Sequence, residues 1–263
     1  RGLGRAIVQE ALAAGHRVVA TARKPEQLQD LVDRYGKNVR TAELDVTDPE
    51  AAGRSVRTAV DTFGRLDILV NNAGYGDTAA VEDVSLEAFK AQIDTNFYGV
   101  VYMTKAALPV MRQQGSGHIF QISSIGGRLA SPGLTAYQSA KWAVGGFSLG
   151  LAQEVGPLGI KVTVIEPGGM RTDWAGSSMA IPPISEPYQQ TVGAFAKMLR
   201  ELTGKEPTDP SKVAKAMLEV ADMAEPPLRL LMGIDAVTYV GNAARELAES
   251  AAKWRSLSEQ EAI

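Results

Sequence analysis

The feature that most constrains the fold is an alternation of short, β-branched, nearly continuous apolar runs with longer segments of 3.6-residue apolar period. The runs fall at 16–22, 39–44, 66–72, 118–123, 161–167 and 228–232. Between them, helical periods span roughly 4–14, 25–35, 49–63, 86–113, 134–156 and 209–223. Strands such as VVATA and LDILV do not alternate polar with apolar, as expected of strands buried on both faces of a parallel sheet. Strand, helix, strand at this spacing implies right-handed crossovers and an open, doubly wound sheet with helices on both faces. Ligands of such a sheet bind at the carboxyl ends of its strands.

The chain opens on RGLGRAIVQE, a glycine turn entering a helix. In a doubly wound sheet this turn follows the first, central strand, so a strand is expected upstream of Arg1, over roughly ten to fifteen residues by strand length. The expectation for the 263 residues is one domain, with a cofactor part over about 1–172 and a lid and substrate side over about 173–263.

Composition narrows the function. A net charge of −3 without a basic run gives no footprint for nucleic acid. The sequence has no apolar run of about 18 to 20 residues and no signal-peptide pattern, so membrane contact is not expected and a cytoplasmic location is. Zero cysteines exclude disulfides, Cys-ligated zinc and thiol nucleophiles. Two histidines, His16 and His118, both in segments that read as strands, leave little for a metal site, and none is expected.

The specific signal is SSIGGRLASPGLTAYQSAK at 123–141. Tyr137 and Lys141 are four apart and share one face of a helix starting near Leu134. Ser124 stands at the end of the strand before it. Reduction of a carbonyl by hydride places negative charge on oxygen, which calls for a proton donor and a fixed dipole. Tyr137 suits the donor, and the Lys141 ammonium is expected to lower its pKa from about 10 toward working pH. Ser124 suits the substrate oxygen.

These motifs together resemble the classical short-chain dehydrogenase/reductase family: Gly2-Leu3-Gly4, Asp45-Val46, NNAG at 71–74, Asn96 in TNFYG, Ser124, YQSAK at 137–141 and PGGMRT at 167–172. The likeness covers about residues 1–172, and ATARKP, PGGMRT and the tail are similar to a subgroup resembling 17β-hydroxysteroid dehydrogenases. It implies a Rossmann-type fold and a nicotinamide cofactor. By resemblance, Lys141 also binds the nicotinamide ribose, and Asn96 holds a water that relays protons to Lys141; the other reading of Asn96 is a buried polar residue with local hydrogen bonds. Asp45 accepts from the adenine amino group with Val46 beside the ring, while Thr47 or Asp48 caps the following helix. Asn72, Ala73 and Gly74 flank the ribose, Asn72 being as much a sheet-stabilising residue. Pro167 and Gly168 line the nicotinamide and Thr172 reaches its carboxamide.

The second strand ends Thr21-Ala22-Arg23, with no acid to hold a ribose 2′-hydroxyl and an arginine suited to a 2′-phosphate. Arg1 agrees with it, so NADP(H) is expected over NAD(H). The other reading makes both arginines plain surface charges.

The expected activity is an NADP(H)-dependent oxidoreductase interconverting a ketone or aldehyde and an alcohol, acting on a small molecule. A non-catalytic NADP-binding sensor would predict a broken tetrad. A sugar-nucleotide epimerase or dehydratase would need more than the about ninety residues after Thr172. Residues 173–190 read as a mobile lid in which Trp174 and Met179 either meet substrate or pack on the core. The tail after 236 reads as one amphipathic helix or two. A homodimer or homotetramer is expected, the helices at 86–113 and 134–156 pairing across a two-fold axis, with Ala143, Gly145 and Gly146 allowing close approach.

Overall fold

Six parallel strands and nine α-helices are found among residues 1–260, which the computed structural model of the protein describes. Strands β1 (Val18–Ala22) and β2 (Val39–Glu43) pair with each other. β3 (Ile68–Asn71), β4 (Gly117–Ile122), β5 (Ile160–Pro167) and β6 (Arg229–Met232) form a second sheet in that order. The strands thus stand in two parallel pieces with helices on both faces, the Rossmann-type arrangement expected from sequence. A crevice of about 1350 Å³, lined by Val18, Val19, Leu69, Val70 and Phe120 among others, separates β1 from β3.

Alternation along the strands sorts the helices onto two faces. On one face Phe120, Ile122 and Ile165 meet Leu3 of α1 (Gly2–Ala13) and Val213, Met217 and Val220 of α8 (Pro210–Ala221). On the other, Leu69, Ile119, Ile160 and Val162 meet Ala52 and Val56 of α3 (Pro49–Phe63), Met103, Ala107 and Met111 of α5 (Gly99–Gln114), and Leu151 and Val155 of α6 (Thr135–Val155). The short helix α2 (Gln29–Tyr35) covers the β1–β2 pair through Val32 and Tyr35.

Several boundaries differ from the sequence reading for identifiable reasons. His16 lies in the turn before β1, not in a strand. The expected helix at 86–113 is α4 (Leu86–Ile93), a π-helical turn (Asp94–Tyr98) and then α5, and such turns occur where one residue must be fitted into a helix at a functional position. A helix, α7 (Ala194–Leu202), follows the expected lid, and the tail is one helix, α9 (Ile234–Glu259). No helix of the described residues is long and apolar enough to cross a membrane.

Glu166 on β5 is fully buried and holds two arginines. Arg128, just beyond β4, donates to it from Nε at 3.0 Å and Nη2 at 2.8 Å, and Arg229 of β6 donates from Nε at 3.0 Å. The clamp ties the loop after β4 and the start of β6 to the carboxyl-terminal part of β5. Gly145 of α6 packs on Arg229, its missing side chain leaving room for the guanidinium 3.2 Å away, whereas Gly146 faces open space. Of the small residues considered for subunit contact, Gly145 therefore serves the chain's own packing.

Candidate active site

The end of β4 and the first turns of α6 bring the candidate groups together. Ser124 follows β4 and caps a short 3₁₀ turn, its Oγ accepting from the Gly126 amide at 3.0 Å. Gln138 Oε1 accepts from the Ser131 amide at 3.0 Å and sets the loop that enters α6. One turn into α6, Tyr137 and Lys141 point inward, 7% and 4% exposed. A Cβ at Gly126 would stand 3.4 Å from Tyr137 Cε1 and 3.5 Å from Ser124 Oγ, so hydroxyl and phenol share one corner.

Lys141 Nζ donates to the Ile122 carbonyl at 2.8 Å and lies 5.6 Å from the Tyr137 ring centroid. Burial pushes its pKa down to about 8. Burial likewise pushes the Tyr137 phenol up to about 12, with the Ser124 hydroxyl pulling the other way. This reverses the direction expected from sequence. Four-residue spacing places the ammonium near the phenol, but both groups are taken out of water, and desolvation outweighs an attraction from a cation already bound to a carbonyl.

Asn96 sits in the π-helical turn, fully buried, and three backbone groups hold its amide. Nδ2 donates to the Tyr75 and Gln92 carbonyls, each at 2.8 Å, and Oδ1 accepts from the Tyr75 amide at 3.2 Å. Local hydrogen bonds, the alternative weighed above for Asn96, are thus present. Gly74 also places it beside the site: a Cβ there would come within 2.5 Å of Asn96 Oδ1 and 3.5 Å of Lys141 Nζ, so only glycine lets the backbone pass between them.

The residues expected on the cofactor side gather at strand ends of the same rim. Gly2, at the start of α1 with φ +56°, faces Thr172, and Gly4 lies against the Asn72 amide. Leu3 points away into the core. The sheet-stabilising role considered for Asn72 belongs instead to Asn71, which donates to Gln121 at 2.9 Å and Thr104 at 3.2 Å. Asp45 accepts from the Thr47 amide and hydroxyl, and these bonds hold its carboxyl below the usual range. Asp48 is the residue that caps α3, accepting from the Glu50 amide at 2.8 Å, and Val46 packs beside Gly99. Pro167 ends β5 buried, Gly168 donates to the Met232 carbonyl at 3.0 Å, and Asp235 of α9 accepts from the Gly169 amide at 2.7 Å. Asp235, 66 residues from the turn it holds, has no local signal in the sequence.

Arg1, Gly4, Ala22, Arg23, Val46, Asn72 and Ala73 line the crevice on the β1 and β3 side. Arg23 is exposed and makes no ion pair among the described residues, and Arg1 is 72% exposed at 3.6 Å from Asp173. A helix N-terminus, two exposed cations and a glycine cradle at Gly74 fit a phosphorylated dinucleotide. Among the described residues there is no cluster of His, Cys, Asp and Glu able to hold a metal.

Residues 1–180 match the family described as short chain dehydrogenase, and the chain belongs to that family. It is similar to the oxidoreductase BOA17 of Botryotinia fuckeliana, 60% identical over 98% of this chain and 94% of that protein. A crystal structure of a short-chain dehydrogenase from Streptomyces avermitilis superposes with a TM-score of 0.92 at 36% identity, covering 98% of this chain and 95% of that one. A closed serine dehydrogenase complexed with NADP+ superposes with a TM-score of 0.76 at 31% identity, over 88% and 90% of the two chains. The protein is therefore an oxidoreductase of the short-chain dehydrogenase family, with a Rossmann-type fold, a nicotinamide cofactor and a small-molecule substrate.

Proposed function

We propose that the protein interconverts a ketone or aldehyde and an alcohol with NADP(H), Tyr137 moving the proton. The observation that carries this reading is the shared corner of Ser124 Oγ and the Tyr137 phenol, with the buried Lys141 ammonium behind them. Bound nicotinamide supplies or accepts the hydride. Ser124 donates to the substrate oxygen and orients it, and Tyr137 gives its proton to that oxygen as negative charge develops there. A phenol pushed up to about 12 is protonated at neutral pH, as reduction requires, and an alkoxide is a strong enough base to take its proton. In the oxidative direction the Lys141 ammonium, charged below about pH 8, steadies the phenolate. Asn96 places a polar edge beside Lys141, consistent with a water relay to it.

Arg23 and Arg1 would take the 2′-phosphate, and Ala22 offers no carboxylate to a 2′-hydroxyl. Asp45 and Val46 would flank the adenine, Asn72, Ala73 and Gly74 the ribose, and Pro167, Gly168 and Thr172 the nicotinamide. Exposed Tyr98 and Leu149 beside α5 and on α6 support pairing with a second copy. The chain would work as one domain, its lid following Thr172.

The test is cofactor oxidation by purified protein with a panel of ketones and aldehydes, using NADPH and NADH in parallel. NADPH consumption with formation of the matching alcohol is expected, at least tenfold more efficiently than with NADH. Tight NADPH binding with no turnover on any carbonyl would contradict the catalytic reading and favour a sensor.

A further inference from the structure

The loop after Thr172 folds back over Tyr137. The Trp174 amide donates to Thr172 Oγ1 at 3.3 Å, which turns the half-buried indole inward. The indole meets the Tyr137 phenol with centroids 5.1 Å apart and planes at 55°. Gly76 closes the corner: a Cβ there would stand 2.7 Å from Trp174 Cζ2 and 3.2 Å from the Tyr137 ring. Behind the indole, Ala175 and Met179 are buried with Leu134, and Ile181, Phe195 and Leu199 pack on them. The indole is thus an anchored wall beside the phenol.

Three arginines near this wall already have partners, and Arg1, beside Asp173 at 3.6 Å, is proposed for the cofactor phosphate. Arg200 reaches from α7 to the carbonyls of Ala175, Gly176 and Met179. Arg171 donates to the Glu206 carbonyl at 2.8 Å and the Pro207 carbonyl at 3.1 Å and pairs with Asp209 at 3.4 Å. Arg128 is held by Glu166. Asp173 accepts from the Ser177 and Ser178 hydroxyls at 2.9 and 2.5 Å. None of these three arginines is left for a substrate carboxylate. The part of the half-buried indole left open beside the phenol offers a flat ring a face to stack on, whereas a saturated chain would leave much of it uncovered, and aromatic pairs gain more than burial alone.

We propose that Trp174 is the specificity wall of this site and that the substrate is a neutral ketone or alcohol carrying a flat apolar group, an aryl or conjugated ring, beside the reacting carbon. This rests on Tyr137 being the proton donor at that corner.

Of the three tryptophans, Trp142 and Trp254 are half exposed and far from the lid in sequence, so the Trp142→Phe/Trp254→Phe protein leaves Trp174 as the sole indole. With NADP+ present, this protein is titrated with an aryl methyl ketone, an aliphatic ketone of equal carbon count and a 3-hydroxy carboxylate. A saturable change in Trp174 emission is expected with the aryl ketone, at least tenfold tighter than with the aliphatic one and absent with the carboxylate. In otherwise unaltered protein, Trp174→Ala loses a tenfold or greater kcat/KM preference for the aryl ketone and Trp174→Phe keeps most of it, while NADPH affinity stays within threefold in both. Tighter binding of the carboxylate, or an aryl preference unchanged by Trp174→Ala, would overturn the proposal. Saturable quenching without reduction of any ketone would sink the catalytic reading and leave the wall standing; reduction without quenching or preference would do the reverse, and absence of both would overturn the two together.

Discussion

The catalytic corner and the cofactor rim are held in opposite ways. Asn96 and Lys141 are buried, and each is fixed by backbone groups: Asn96 by Tyr75 and Gln92, Lys141 by the Ile122 carbonyl. Arg1 and Arg23 at the rim are exposed, Arg1 3.6 Å from an exposed carboxylate and Arg23 without an ion-pair partner among the described residues. The groups proposed to support Tyr137 as charge develops are prearranged, which reduces reorganisation at the moment of reaction. The groups proposed to meet a permanent charge can stay exposed, since a phosphate recruits them on arrival.

The contrast can be broken by removing one group from each side. Tyr137→Phe deletes the proton and little volume, so kcat is expected to fall by about 10²- to 10⁴-fold while NADPH affinity changes less than threefold. Steady-state kinetics paired with cofactor titration would check this, and a large loss of affinity instead would make Tyr137 a cofactor ligand first.

Behind the corner, Glu166→Ala leaves two guanidiniums facing a void at the ends of three strands. Removing one partner of a buried ion pair costs about 3–5 kcal/mol, measurable by urea unfolding. A cost below about 1 kcal/mol would mean that water reaches the clamp.

His118 sharpens the comparison from the opposite face of the sheet. The Thr163 hydroxyl donates to the Pro227 carbonyl at 2.8 Å, so it can only accept from His118 Nε2 at 2.9 Å, and the ring is neutral with Nδ1 unpartnered. Burial, aided by Lys161, pushes its pKa down from 6.5 to about 4. The unfolded chain therefore binds the proton first as pH falls. Stability is whole above about 6.5 and declines as pH drops through about 4, by about 3 kcal/mol at most at 1.36 kcal/mol per pH decade. Urea midpoints against pH should show that decline in the wild type and a flatter course in His118→Gln.

At the rim, Arg23→Ala removes a charge-assisted contact of about 1.5 kcal/mol, so NADPH binding should weaken roughly tenfold with NADH binding unchanged. Equal loss for both cofactors would place Arg23 away from the 2′-phosphate.

Much of this was legible in the sequence. Ser124, Tyr137 and Lys141 could be placed because a strand end and a helical face are local patterns, and β2 and β5 fall within two residues of their expected spans. Features that depend on distant partners were not legible. Asp235 reaches the Gly169 amide across 66 residues, and Glu166 meets arginines 38 and 63 residues away. The raised Tyr137 pKa depends on burial, which spacing alone does not report. The π-helical turn at Asn96 escaped because its apolar period is nearly that of the helices on either side.

The most direct measurement is the fate of the hydride. Protein incubated with NADPH deuterated at the transferring position and an aryl methyl ketone should yield an alcohol carrying one deuterium on the former carbonyl carbon, with Tyr137→Phe slowed by at least a hundredfold at saturating cofactor. An alcohol without deuterium, or full activity in Tyr137→Phe, would contradict the account.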